Sequence, residues 1–331
     1  MVEHDKACEL IAKGTDPMVH KKHIASLKSQ MMEDSFEAVA REWFVVHSPN
    51  WTQGHAKRVI IRLENDVFPW LGKAPMLTIE PPDILNCLRR VENRGALETA
   101  HRIKQTIGQV FRYAVATGKA KRDQTADLKG SLPPVKQKHF AAIIEPKAIG
   151  ELLRGCWSYK GEYSVQCALK LSAYLFTRPG EIRRMEWSEL DLEKGRWVIP
   201  AEKMKTRIAH IVPLSNQAID VLRELQPLTG RFQFVFVGVR SRTTPMSDNT
   251  VRQAIRRLGY DNTQMTAHGF RAMASTTLYE LGYSSDLIEK QLAHVVGNDV
   301  RRAYDRSENL PERTSMMQRY SDYLDELRLK R

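Results

Sequence analysis

HGFRAMASTTLYELGYSSDLIEKQLAHVVGNDVRRAYDR, residues 268–306, is the stretch from which the rest of the chain can be read. Two runs within it, GFRAMASTTLYELG and SDLIEKQLAH, carry helical periodicity. His268 and Arg271 lie three apart, so on a helix they project from one face and approach one ligand together. His294 closes the second run and Tyr304 follows it. Upstream, Arg178 stands in TRPGEIRRMEW and Lys205 in AEKMKTR. The six side chains read as a cage around one phosphate with a hydroxyl nucleophile last in order. Guanidinium, ammonium and imidazole groups neutralise phosphoryl charge and shuttle protons without an ion, which suits attack of a tyrosine on a phosphodiester. No cofactor is expected, and no ligand cluster for Mg²⁺ or Zn²⁺ is read in the chain.

On either side the pattern continues. Helix-like runs at Lys147–Cys156 and Glu162–Phe176 precede Pro179, which suits the first turn of another helix. RWVIP and IAHIVPL have the alternation of strands, with AEKMKTR as the hairpin turn between them. SNQAIDVLREL, SDNTVRQAIRRLG and ERTSMMQRYSDYLDELRL return to helical periodicity. This half is therefore expected to be mainly helical with a small antiparallel sheet. The segment KGSLPPVKQKH reads as an extended linker. Before it, four helical runs describe a small all-α bundle. The first opens at an Asp34/Glu37 capping box, and the second spans Thr52–Phe68 and stops at Pro69. The third starts at Pro81–Pro82, and the fourth covers Ala96–Thr117. The expected division is residues 1–30 as a linker helix, 31–128 as the helical domain, 129–145 as interdomain linker and 146–331 as the second domain.

The chain has 331 residues, and 51 Lys+Arg against 39 Asp+Glu give a formal net charge of +12, a balance that favours polyanionic partners. His101–Arg122 carries Arg102, Lys104, Arg112, Lys119, Lys121 and Arg122 and no acidic residue, so the fourth helix is expected to face DNA. No stretch approaches the roughly 18 apolar residues of a membrane helix and the N-terminus lacks an apolar signal core, so a cytoplasmic protein without membrane contact is expected. Cys8, Cys87, Cys156 and Cys167 are scattered without a C-x-x-C pair, which argues against a disulfide framework or a zinc site.

TRPGE around Arg178, HGFR at His268–Arg271, LAH at His294 and AYDR around Tyr304 together resemble the signature of the tyrosine recombinases, the phage-integrase family. The separations agree with that family: 294 − 271 = 23 positions and 304 − 294 = 10. MKTRIAHIVPLS and the closing ERTSMMQRYSDYLD are similar to integrases of prophages and genomic islands. The resemblance implies a core-binding (SAM-like) four-helix domain followed by a mixed α+β catalytic domain. It also implies site-specific recombination through a 3′-phosphotyrosine, with integration or excision of a prophage or island. The partners it implies are double-stranded attachment-site DNA and four protomers acting on two sites, with room for an excision factor and a DNA-bending host protein. An arm-type DNA-binding module would precede KACELIAKGTDPMVHKK, which here begins almost at Met1, so binding to arm sites is not expected of this chain.

Within such a set Arg178 and Arg271 grip the non-bridging oxygens of the scissile phosphate. Lys205 protonates the departing 5′ oxygen, with Lys203 a close competitor. His268 accepts the tyrosine proton or bonds the phosphate, and His294 adds a donor. Tyr304 is the nucleophile, whereas Tyr320 and Tyr323 sit at spacings that suit a packed helix face, and His210 reads as structural. The last helix docks on a neighbouring protomer or folds back onto its own domain. Two other readings stand beside this one: a DNA-relaxing topoisomerase of the same chemistry, and a non-catalytic DNA-binding protein.

Overall fold

The computed structural model describes residues 34–135, 141–294 and 309–330, besides Asp16, Met18 and Lys22. The chain forms two compact units, Met1–Gln137 and Lys138–Arg331. The expected linker helix at 1–30 lies outside the described residues apart from those three positions.

In the first unit, α1 (Phe36–His47) is capped by Ser35, whose hydroxyl accepts from the Ala38 amide at 3.4 Å. The cap expected at Asp34 is not used, because the Asp34 carbonyl accepts instead from the Met76 amide at 2.9 Å. α2 (Gln53–Arg62) runs through a π-helical turn at Leu63–Val67 into α3 (Phe68–Leu71). Pro69 therefore does not stop the run at Phe68. The wide turn breaks the regular ladder, and the proline falls in the first turn of the next segment, where a missing N–H costs nothing. α4 (Pro81–Asn93) starts on its two prolines, and the Asp83 carboxylate accepts from the Glu80 amide at 3.0 Å. α5 (Leu97–Ala116) buries Ala100, Ile103, Ile107, Val110, Phe111 and Ala114, an apolar stripe at helical spacing. Phe36 joins the helices, its ring centroid 6.1 Å from Phe111 and 6.5 Å from Phe68.

The second unit is built around α7 (Tyr163–Leu175), which is buried on almost every side. α6 (Pro146–Trp157), α9 (Asn216–Thr229), α10 (Thr250–Arg257) and α13 (Leu310–Leu329) pack on it. The short α8 (Pro179–Arg183) leads to a three-stranded antiparallel sheet of β1 (Leu190–Asp191), β2 (Arg196–Ile199) and β3 (His210–Pro213) in the order β1-β2-β3. Trp197 pairs with Val212, and both are buried, so the register puts the apolar alternation on the core side. α11 (Gly269–Glu280) and α12 (Ser285–Gln291) complete the unit.

α13 folds back onto its own unit. Its Tyr320 ring meets Phe176 edge-on with centroids 5.2 Å apart, and Ser321 and Ser215 share a hydrogen bond of 2.8 Å. The Arg154 guanidinium donates to the Lys330 carbonyl at 2.7 Å. A side chain at Gly150 would lie 2.5 Å from the Leu327 carbonyl, so the α6–α13 approach needs that glycine. The mainly helical architecture with a small antiparallel sheet is the one expected from the sequence. Among the described residues no helix is long and apolar enough to cross a membrane.

Candidate active site

Arg271, in the first turn of α11, is only 5% exposed. Its Nη1 donates to the Phe176 carbonyl at 3.0 Å, and its Nη2 donates to the Leu292 carbonyl at 2.7 Å and to His294 Nε2 at 3.1 Å. Burial, and then the charge of Arg178, lower its pKa to about 10, which leaves it a cation at neutral pH. α11 approaches residues 141–142 so closely that a side chain at Gly269 would run into the Ala141 carbonyl.

Two non-glycine residues in left-handed backbone flank this arginine: Phe176 at φ 39° and Ala293 at φ 51°. Each carries a cost of about 1–2 kcal/mol for an L residue, and each turns a carbonyl toward a guanidinium. Phe176 serves Arg271, and the Ala293 carbonyl accepts from Arg178 Nη2 at 3.3 Å. Arg178 caps α8. Its amide donates to Glu181 Oε2 at 2.8 Å and its Nη1 to Glu181 Oε1 at 2.8 Å, so one buried carboxylate holds the arginine at both ends. Glu181 is in the first turn of that helix, where negative charge is favoured.

His294 is delivered by the way α12 stops. The Ala293 amide donates to the Lys290 carbonyl at 3.0 Å and the His294 amide to the Glu289 carbonyl at 3.0 Å, the Schellman pattern with Ala293 in the left-handed position. The imidazole then lies between Arg271, on Nε2, and the Glu289 carboxylate, 2.6 Å from Nδ1. A guanidinium only donates, so Nε2 accepts and the ring proton sits on Nδ1, donated to Glu289. His268 caps the start of α11 half-buried, its pKa lowered by burial and then by the charges of Arg271 and Arg178. His210 lies behind this cluster on β3, donating from Nε2 to the Gln291 carbonyl at 3.1 Å. Burial first, and then Arg313, push its pKa from 6.5 to about 4, so it is neutral.

The two lysines of the β2–β3 connection differ. Lys203 is held by Glu186, Glu189 and the Arg184 carbonyl, whereas Lys205 is exposed and makes no hydrogen bond or ion pair among the described residues. Arg207, two positions on, is another left-handed residue, at φ 57°. Tyr304 lies outside the described residues. Tyr320 is fully buried and burial raises its pKa far above the usual phenol value, which makes it a core residue; burial raises Tyr323 as well.

The basic side chains of the first unit are not bare. Arg112 pairs with Asp123 at 2.6 Å, Lys119 with Glu42 at 2.6 Å, Arg122 with Asp127 at 2.9 Å and Arg102 with Glu98 at 3.7 Å. Lys104 donates to the Leu128 carbonyl, and Lys121 is exposed without such a partner among the described residues. Exposed pairs of this kind are worth about 0–1 kcal/mol, so a phosphate can compete for the cation. Sequence reasoning missed Glu181 and Glu289. The first was detectable as an acid in the helix turn after Arg178; the second has no sequence signal stronger than its place five residues before His294.

Residues 36–131 match the phage integrase central domain and residues 143–309 the phage integrase family. The chain is 36% identical to the integrase of Enterobacteria phage P4 over 98% of its own length and 76% of that protein. It is 33% identical to the integrase of Shigella phage Sf6, over 96% of this chain and 80% of the other. Among solved structures, a lambda integrase tetramer bound to a Holliday junction aligns with a TM-score of 0.65 at 17% identity, over 90% of this chain and 88% of that one. A lambda integrase fragment, a dimer on a COC′ core site, aligns with a TM-score of 0.62 at 19% identity, over 82% of this chain and 95% of the other. The helical unit and the small sheet thus have their counterpart in a known architecture, and the chain belongs to the phage integrase family of tyrosine recombinases, DNA breaking-and-rejoining enzymes.

Proposed function

We propose that the grouped side chains of the second unit hold the scissile phosphate of an attachment site and that Tyr304 attacks it. The observation that carries this reading is the convergence of Arg178, Arg271, His268 and His294. Arg271 Nη2 touches the His294 ring at 3.1 Å, and the charges of Arg178 and Arg271 both bear on His268. Guanidinium groups grip the two non-bridging oxygens and offset charge that grows in the transition state. His268, kept neutral by its surroundings, takes the tyrosine proton.

The Tyr304 oxygen bonds to phosphorus while the bond to the 5′ oxygen breaks, and Lys205 supplies the proton that leaves with that oxygen. The product is a 3′-phosphotyrosine and a free 5′ hydroxyl. Religation runs the same step in reverse on another strand and needs no ATP, since the phosphodiester energy is kept in the covalent link.

The substrate is duplex DNA at attachment sites, recombined by four protomers on two sites as a prophage or genomic island enters or leaves a chromosome. The lambda integrase tetramer on a Holliday junction supports that stoichiometry. Residues 31–128 serve as the core-type DNA-binding domain, with Arg102, Lys104, Arg112, Lys119, Lys121 and Arg122 as phosphate contacts. Residues 129–145 are the linker and 146–331 the catalytic domain. An excision factor and a DNA-bending host protein fit as helpers, and the cytoplasm as the place of action. A duplex nicked near the cleavage position, so that religation is blocked, tests the chemistry. A covalent protein–DNA adduct is expected from the native chain, and Tyr304→Phe abolishes it while DNA binding persists. Adduct surviving in that variant, or none from the native chain on its own site, refutes the assignment.

A further inference from the structure

His294 is held on both sides. Its backbone amide is bonded to the Glu289 carbonyl at 3.0 Å, and its ring Nδ1 is 2.6 Å from the carboxylate of the same residue. Glu289 therefore grips the histidine through main chain and side chain at once, one turn back along α12. On the far side of the ring Nε2 meets Arg271 at 3.1 Å. The histidine side chain is 46% exposed, so a ligand reaches it, while the glutamate side chain is 30% exposed.

We propose that Glu289 is a positioning residue for His294. Its carboxylate keeps the ring proton on Nδ1 and aims Nε2 at the Arg271 guanidinium. In the free protein Nε2 is an acceptor for Arg271. The charged and titratable groups facing it are the Arg271 guanidinium on α11, Arg178 at the start of α8 and the neutral ring of His268. Glu289 on α12, with Glu181 behind Arg178, stands against them. A carboxylate in direct contact fixes which ring nitrogen carries the proton.

This inference rests on the proposed phosphate-binding role of His294. Single-turnover adduct formation on the nicked duplex is measured for the native chain, Glu289→Gln, His294→Ala and the double variant, together with DNA affinity. Glu289→Gln is expected to slow adduct formation roughly 10- to 100-fold, the range for losing a charged hydrogen-bond partner, with DNA affinity kept. In the His294→Ala background the same change adds less than about twofold. Native-rate cleavage by Glu289→Gln, or an equal drop in both backgrounds, overturns the proposal, since a purely architectural glutamate would act with or without the histidine.

A second measurement does not depend on cleavage. The ¹⁵N spectrum of the free chain should show His294 protonated on Nδ1, and Glu289→Ala should abolish that preference; an unchanged tautomer in the variant overturns the proposal. If the native chain forms no adduct while the tautomer follows Glu289, the phosphate-site reading fails and the positioning contact stands.

Discussion

Arg271→Lys tests the structural role that its buried bonds give this residue. The guanidinium satisfies two buried carbonyls at once, Phe176 at 3.0 Å and Leu292 at 2.7 Å, from a side chain only 5% exposed. A lysine brings one ammonium on a different stem and reaches one of them at most. Losing one charge-assisted bond removes about 1.5–3 kcal/mol, and leaving a buried carbonyl unmet costs about 1–3 kcal/mol. Partial relaxation and water entry reduce the sum, so a net loss of about 2–4 kcal/mol is expected. For a unit of this size that is a fall of roughly 5–15 °C in the melting temperature, measured by calorimetry on the whole chain without DNA. Arg178→Lys is the internal control. Arg178 is 25% exposed on its side chain, Glu181 keeps the backbone amide bond, and an ammonium can replace the ion pair, so the cost should stay under about 1 kcal/mol. Equal melting temperatures for Arg271→Lys and the native chain would refute the claim that this arginine is a structural tie.

Acid should destabilise the chain through His210. Its folded pKa of about 4 lies below its ordinary 6.5, so the two states bind protons equally above pH 6.5, and below that the unfolded chain takes up the proton first. Stability is then lost as pH falls from 6.5 toward 4, by up to about 3 kcal/mol if the full shift is expressed. Urea titrations in that window should show a shallower loss in His210→Gln, and identical pH slopes would refute the assignment. The hairpin lysines can be separated in the same assay format. Lys205→Ala should slow adduct formation at least 100-fold with stability unchanged, whereas Lys203→Ala, which strips the partner from Glu186 and Glu189, should cost stability. The reverse pattern would move the general-acid role to Lys203.

Much of this molecule is local and therefore legible in the chain. Apolar residues three and four apart along α5, proline pairs opening α4 and the alternation of RWVI require only near neighbours, and the structure shows those elements where the pattern puts them. Where a local rule failed, a distant partner had overridden it. Asp34 gave up its capping position because Met76 took its carbonyl, and Pro69 was carried past by a π turn. That Arg178, His268, Arg271 and His294 come together was also legible, because the motif resembles one in which these residue types stand together.

The sequence by itself determined the fold class, the family signature and the identity of the cationic groups. Only the tertiary structure decided what balances them. Glu98 meets Arg102 within α5, but the carboxylates that meet Arg112, Lys119 and Arg122 come from outside that segment, as with Glu42 on Lys119 across 77 positions. Arg271 finds the Phe176 carbonyl across 95 positions, and His294 is oriented by a carboxylate that no motif names. The physical reason is range: periodicity and capping are set within about four residues along the chain, whereas a charge is neutralised by whatever the packed core brings within about 3 Å of it.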